Sequence, residues 1–517
     1  MLKRGLVKSG QALVLLVAGC LLAWMLIATN RAAISLKLPW SAGLVIGIIL
    51  AIALVLGIIG VTHWLVRQKT SWLMFVFGSL TLIKVPLLWG LKIAPTSDFW
   101  NYHALAAYSA QGMTWKAMFQ HGLLGSYVVF PHALNIANFF SLGTAFFGQS
   151  YLVSQLINIG CTWLDMLLLY QLGSRWLSRR LGIVAALTFY AIPAYWLYST
   201  LLNGAEPLFL TCFLLSMLGL TNALKPIKTA TSNDQWLNLG LAWVATIAAN
   251  MLRPIMTVWL IGLLILSLWL LLQPLRHFRP TLRKLLVFIG ASILLFAGSS
   301  TLYNWMYGVN LAPSHVSTAY SLATGTDEKT SGQYDDQLMT QVTHDLKVTP
   351  TANGAYAKIA AKMFKTTDHN IHQLNRQGRW GSFINLKMQK LMAEDYGYNW
   401  VLYNLSHTKH QTSLGHAWYQ FKPLLVALSF GYFDLMLVGA LVSVLLGLAL
   451  LASHNQHLNN YFFFSALLLD GFTLSAMLVE VQGRYHIILY LPLIFLIICG
   501  IATVKRHRLK NIRETAR

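Results

Sequence analysis

The chain has 517 residues, of which 56% are hydrophobic and only 10% charged. A soluble protein of this length carries about a quarter charged residues, so a water-soluble globular enzyme is excluded. The net charge of +22 does not make it a nucleic-acid binder, because the lysines and arginines gather at the ends of apolar runs. That is how a membrane protein sets its orientation.

Apolar runs of bilayer length recur along the chain and predict twelve spans. They cover about 11–29, 40–62, 72–91, 151–172, 182–202, 205–222, 236–251, 255–273, 284–303, 432–452, 460–479 and 486–504. The expected fold class is all-α, a polytopic integral membrane protein. The first run contains "LVAGC" at Leu16 to Cys20, which looks like a lipoprotein cleavage site. The apolar run continues past the cysteine, which fits an uncleaved anchor better. Cys20, Cys161, Cys212 and Cys499 all sit in apolar runs without a CxxC. They read as small buried hydrophobes, not as a disulfide or zinc framework.

With both termini inside, the segments "MLKRGLVK", "VRQK", "SRWLSRR", "LKPIK", "LRHFRPTLRK" and "VKRHRLKNIRETAR" face the cytoplasm and hold 20 Lys and Arg. The short outer loops hold only Arg31, Lys37, Arg253 and Arg484, and segment 92–150 adds Lys92 and Lys116. Residues 127–147 are apolar enough to consider as a span. Counting them would put "SRWLSRR" outside, against the charge rule. Segment 92–150 is therefore placed outside, with one or two helices lying in the interface. Residues 304–431 form a second outer segment, polar and long. Short helices packed on the membrane core are expected there rather than an independent catalytic domain. The expected organisation is an N-terminal helix pair (1–71), a membrane core (72–303), the long outer loop (304–431) and C-terminal helices with a basic tail (432–517).

An ionisable residue at membrane depth is costly and therefore a functional candidate. Asp98, Glu206, Asp434 and Glu480 fall at outer helix ends, as do Arg253 and Arg484. Arginine forks can grip a lipid-linked phosphate, and a carboxylate can take a proton. The bland reading is that such residues mark the interface or snorkel. Asp165 and Asp470 lie deeper. They read as packing hydrogen bonds or as interhelical partners of Lys84.

Three stretches carry a resemblance. "SDFWNYHALAAYSAQG" resembles the first outer loop of the GT-C glycosyltransferases, above all the dolichyl-phosphate-mannose–protein mannosyltransferase and lipid A aminoarabinose transferase group. "YAIPAYWLYSTLLNGAEPLFLTCFLLSMLGL" looks like the same group's helix pair, and "EVQGRYHIILYLPLIFLIICGI" like its closing segment with Pro492. The likeness covers about residues 72 to 504. It implies a multi-spanning glycosyltransferase that moves a sugar, with inversion, from a polyprenyl-phosphate donor to an extracytoplasmic acceptor. Cell-wall polymer, glycolipid and protein all remain open as acceptors. By this likeness Asp98 is the catalytic base on the acceptor hydroxyl. Arg484 and then Arg253 stabilise the leaving phosphate. Glu206, Gln482, Tyr102 and Tyr485 bind substrate, and His103 and His132 are spectators or assistants. Many relatives pair two acids in the first loop, whereas Asp98 stands between Ser97 and Phe99, so a metal site there is in doubt and a divalent metal is left open. Besides the donor and acceptor, the expected partner is membrane lipid; no nucleic acid is expected. The analogy points to a bacterial plasma membrane, with the site facing outside.

Rival readings are a transporter or flippase of lipid-linked sugars, a polysaccharide polymerase or ligase, and a non-catalytic scaffold. Transporters often show internal repeats, and none is evident here. The sequon "NLS" at Asn404 decides nothing without the host.

Overall fold

The computed structural model describes residues 2–36, 43–225, 231–272, 275–453 and 458–515, and among these it contains helices and no strand. Lys37 and most of "LKPIK" lie outside the described residues, as does the end of the C-terminal tail.

The N-terminal pair is α1 (Leu2–Ser35) and α2 (Gly43–Leu65). The third run breaks at Ile83–Val85 into α3 (Thr70–Leu82) and α4 (Pro86–Leu91). Segment 92–150 holds α5 (Ser97–Ala110), α6 (Trp115–Gln120) and α7 (Pro131–Phe147). Gly148, at φ 88°, adopts a conformation that suits glycine and ends α7. There follow α8 (Tyr151–Trp176), α9 (Arg179–Tyr190), α10 (Pro193–Leu201), α11 (Glu206–Leu224), α12 (Ser232–Leu252), α13 (Met256–Leu271) and α14 (Leu275–Ala297). Pro193 cannot continue a helix from α9, and the chain turns by 67° between α9 and α10. Thr231 and Asp234 form a capping box that starts α12.

Residues 299–418 hold α15 (Ser299–Tyr307), α16 (Ser314–Gly325), α17 (Asp336–Val348), α18 (Ala352–Gln377), α19 (Trp380–Leu391), α20 (Tyr396–Ser406) and α21 (Ser413–Trp418). The chain closes with α22 (Lys422–Ser453), α23 (Asn460–Leu478), a 3₁₀ turn at Gly483–Leu489 and α24 (Tyr490–Thr515).

Among the described residues each expected span overlaps helix, but 72–91, 182–202 and 284–303 are each divided between two helices. Among the described residues, nine helical stretches are long and apolar enough to cross a bilayer, and ten if the bent pair α9–α10 counts as one. The runs at 236–251 and 255–273 do not reach that standard. Helix α12 opens on Asn233, Asp234 and Gln235 and carries Asn238 and Asn250, which dilute its apolar character. Helix α13 has 16 residues, about 24 Å at 1.5 Å per residue, short of the roughly 30 Å hydrocarbon layer.

One large core joins the membrane helices. Buried Phe189, Tyr195, Phe213, Trp259, Phe430, Phe433 and Tyr490 belong to it, and so do Met388, Leu391, Tyr398 and Val401 from α19–α20. Helices α1 and α2 pack along α22, where glycine faces glycine. A Cβ on Gly47 would strike the backbone of Ala427, and one on Gly431 the backbone of Gly47. Small residues at such a crossing let helix backbones approach closely. A second core lies between segment 92–150 and the helices of 299–418. Leu105, Met118, Val128 and Leu134 from the first meet Leu311, Val316, Tyr320, Val342 and Met363 from the second.

Of the deeper ions, Lys84 is fully buried and donates to Ser199 Oγ at 2.9 Å, with the Trp196 ring 5.5 Å away. Asp165 accepts from Thr211 Oγ1 at 2.6 Å, and Oδ1 of Asp470 is buried without a hydrogen-bond partner among the described residues. Neither acid makes an ion pair with Lys84 among the described residues. The cation instead sits at the helix break, where Ser199 and aromatic faces reach it first.

Candidate active site

Helix α5 begins at Ser97, whose φ is 51°. This left-handed conformation is uncommon for a side-chain-bearing residue and marks a backbone held by its surroundings. Its holder is Asn404 on α20. The Asn404 Oδ1 accepts from Thr96 N at 2.7 Å and Thr96 Oγ1 at 3.0 Å. Asn404 is itself fully buried, so in the folded chain its sequon offers no free amide for a glycan.

The next residue is Asp98. Its Oδ2 accepts from Arg484 Nη2 at 2.7 Å, across 386 positions of sequence, and its Oδ1 from the Tyr127 hydroxyl at 3.1 Å. The Asp98 side chain is 33% exposed and that of Arg484 4%. Burial alone would push the Asp98 carboxyl up. The Arg484 charge and hydrogen bond, the Tyr127 hydroxyl and the Arg253 charge outweigh it and hold the carboxyl below the usual carboxylate range. Asp98 is therefore ionised at neutral pH.

Arg484 donates its Nε to Gln482 Oε1 at 3.1 Å. Its guanidinium carbon lies 5.8, 5.5 and 5.7 Å from the rings of Phe99, Trp400 and Tyr485. Such aromatic faces favour a cation and stiffen its position. The guanidinium of Arg253, which is ion-paired with Glu206, lies 5.5 Å from the same Tyr485 ring. Burial works against the Arg253 charge, but Glu206 beside it more than compensates and raises its pKa. Glu206 also accepts from the Tyr198 hydroxyl. Two acids and two arginines from four well-separated parts of the chain thus meet around one tyrosine.

Tyr102 is buried beside them, and burial and then the Asp98 charge raise its phenol. His132 is pushed down to about 4 by burial and by the Arg253 charge, so its imidazole is neutral at pH 7. His103 stacks edge-on against Tyr151 at 5.5 Å and its Nδ1 is buried without a partner among the described residues. Asp434 is not brought to the cluster. Its Oδ1 accepts from Asn30 on α1 at 3.3 Å.

Several members were not assigned a role from sequence. Glu480 accepts from Gln482 Nε2 at 2.8 Å and the Tyr485 hydroxyl at 3.2 Å. Burial pushes its carboxyl up. Lys387 on α19 donates to the Gly325 and Met477 carbonyls at 2.6 and 2.8 Å. Burial pushes it down to about 7, against the pull of Glu480. Tyr127, Tyr198 and Trp400 had no sequence signal beyond being aromatic. Glu480 had one, as an acid at an outer helix end. Among the described residues no group of three or more His, Cys, Asp or Glu could hold a metal ion. The donor set of the cluster is arginine and tyrosine beside single carboxylates, which does not suit a divalent cation.

Neither a family model nor a curated relative matches the sequence. The chain aligns with a crystal structure of ArnT from Cupriavidus metallidurans bound to undecaprenyl phosphate. The two share 12% identity over 85% of this chain and 79% of that one, with a TM-score of 0.33.

Proposed function

We propose that the chain is a membrane glycosyltransferase of the GT-C kind, which moves a sugar from a polyprenyl-phosphate donor to an acceptor on the outer side. The observation that carries this reading is the Asp98–Arg484 pair set beside Glu206–Arg253. A phosphate needs arginine forks, and an acceptor hydroxyl needs a carboxylate within reach of water.

Arg484 spends two of its N–H groups on Asp98 and Gln482. A guanidinium has five, so about three remain for a donor phosphate. Asp98 need not leave Arg484 when the donor binds. In the transfer step the acceptor oxygen bonds to the anomeric carbon as the carbon–oxygen bond to phosphate breaks. The electron pair leaves with the phosphate, whose charge Arg484 and Arg253 stabilise. The hydroxyl proton passes to the Asp98 carboxylate. The depressed pKa keeps Asp98 ionised at neutral pH, at some loss of base strength. Attack opposite the leaving phosphate inverts the anomeric centre. Tyr485 and Tyr102 line the sugar's place, and Glu206 holds Arg253.

The test is release of free polyprenyl phosphate from polyprenyl-phosphate sugars by protein purified in detergent, wild type beside Asp98→Asn. Loss of a general base costs about 10²- to 10⁴-fold, and a fall of that size is expected with the fold retained. Near-normal turnover by Asp98→Asn ends the assignment of the base. Saturable donor binding without release under any acceptor would favour a transporter.

A further inference from the structure

Two residues past Arg484 lies His486, in a part of the closing segment to which the catalytic reading gives no role. His486 is fully buried. Its Nδ1 lies 2.5 Å from the Leu391 carbonyl, and its Nε2 lies 2.7 Å from Glu394 Oε1 and 3.0 Å from the Tyr490 hydroxyl. Tyr490 donates to the same Glu394 oxygen at 2.7 Å and meets the Tyr396 hydroxyl at 3.1 Å. A carbonyl only accepts, so Nδ1 carries a hydrogen. Nε2 and Oε1 then share one further proton, and the pair is neutral overall in either arrangement. Isolated buried charges would be far costlier.

Of these partners, Leu391, Glu394 and Tyr396 stand on α19, the turn after it and α20, while Tyr490 opens α24, four residues past His486. The 3₁₀ turn that bears Arg484 presses against that turn closely enough that a Cβ on Gly483 would come within 2.7 Å of the Ala393 carbonyl oxygen. The same hairpin holds the other half of the ion pair, since Asn404 anchors Thr96 at the start of α5. It also supplies Trp400, against which the Arg484 guanidinium rests. Asp98 and Arg484 are thus mounted on one piece of the long outer segment.

We propose that Glu394 and His486 are positioning residues. Their hydrogen-bonded pair locks the Arg484-bearing turn to the α19–α20 hairpin and so fixes the guanidinium at the site of the donor phosphate. This inference rests on the proposed reading of Arg484 as the phosphate-binding residue. Neither residue touches the reacting atoms; both act through Arg484.

The geometry makes an uneven demand on substitutions. Glu394→Gln can place an amide nitrogen where Oε1 stands and donate to both Nε2 and Tyr490, which keeps the lock. Glu394→Ala and His486→Ala cannot. A displacement of about 1 Å at a catalytic group can cost on the order of 100-fold.

The experiment measures binding of a polyprenyl phosphate to full-length protein in detergent, together with donor turnover. The variants are Glu394→Ala, Glu394→Gln, His486→Ala and Arg484→Lys, with each alanine variant also combined with Arg484→Lys. Expected are a 10- to 100-fold loss of lipid-phosphate affinity in the alanine variants, near wild-type affinity in Glu394→Gln, and little further loss when the alanine changes are added to Arg484→Lys. A purely structural role predicts instead that the losses multiply in the combined variants and track the melting temperature; that result overturns the proposal. If wild-type protein binds no polyprenyl phosphate, the reading of the site itself fails. If it binds, Arg484→Lys weakens that binding and the Glu394 and His486 variants all bind like wild type, only the positioning role fails; if Arg484→Lys also binds like wild type, the reading of Arg484 fails with it. If the alanine variants do not fold, the comparison of Glu394→Gln with wild type and the binding measured for Glu394→Asp decide. The shorter acid cannot span 2.7 Å to Nε2 without drawing the turn inward, so wild-type affinity in Glu394→Asp also overturns the proposal.

Discussion

Arg484→Lys is the sharpest single perturbation of this site, because it keeps the charge and removes the fork. A lysine ammonium can take over the contact that Arg484 Nη2 makes with Asp98 at 2.7 Å. It cannot also reach Gln482 Oε1, now bonded to Nε at 3.1 Å, nor lie flat among Phe99, Trp400 and Tyr485. A hydrogen bond from a charged group contributes about 1.5–3 kcal/mol, and a cation at an aromatic face about 0.5–1 kcal/mol. The lost stacking is partly offset, since an ammonium also favours those rings. With the stacking loss offset, the net loss of transition-state stabilisation is about 1.5–3 kcal/mol, on the order of 10- to 150-fold in rate. Because the positive charge remains opposite Asp98, thermal stability should fall only slightly. The assay is polyprenyl-phosphate release at saturating and at low donor, so that kcat and kcat/KM are separated. Equal losses in both would mean that the fork acts on the departing phosphate. Turnover within about threefold of wild type on both measures would refute the argument that planar, multiply bonded geometry at Arg484 matters.

Two further outcomes follow from the charges around it. Glu206→Gln leaves the Arg253 guanidinium, 16% exposed, facing a neutral amide; removing one partner of a largely buried pair is strongly destabilising. A clear drop in melting temperature in detergent is expected, and an unchanged one would show that Arg253 is satisfied without Glu206. Lys387, pushed down from 10.5 to about 7 by burial, binds its proton less tightly in the folded chain than in the unfolded one. Stability should therefore rise with pH between about 7 and 10.5, by at most about 1.4 kcal/mol per pH unit. Lys387→Met should flatten that slope in melting curves taken across this range; a slope that persists in the variant would place its origin elsewhere.

The class of the fold was legible because hydropathy over some twenty residues reports what a helix must be surrounded by. It was less able to separate a span from a helix of similar pattern, and α12 and α13 show why. Asn233, Asp234 and Gln235 satisfy helix-start chemistry as well as they dilute an apolar run. Of the site, the polar and charged residues at the ends of apolar runs were legible. Asp98, Glu206, Arg253, Gln482, Arg484 and Tyr485 do meet. What was not legible is pairing. Nothing in the sequence says that Asp98 takes Arg484 while Glu206 takes Arg253, because both choices satisfy the same charges. The polar support was hidden as well. Asn404 and Glu394 lie in a mixed stretch whose periodicity speaks only of a short helix, and their meaning depends on partners about 300 and about 90 positions away.

The four central charges sum to zero, and this bears on how such a site survives at the ends of membrane helices. A lone buried arginine there would be costly, but each arginine has a carboxylate in contact and Tyr485 lies against both. A phosphate that enters adds negative charge to a neutral cluster. Its binding therefore depends less on net attraction than on N–H groups left unspent by the acids. Arginine supplies that reserve and lysine supplies less of it. The aromatic faces hold the guanidinium planes without consuming those N–H groups. In the proposed reaction a carboxylate that keeps its arginine partner is a weak base, in keeping with an Asp98 carboxyl held below the usual carboxylate range. The arrangement suits a reaction whose leaving group is an already ionised phosphate, in which the departing charge needs holding and the acceptor proton moves late.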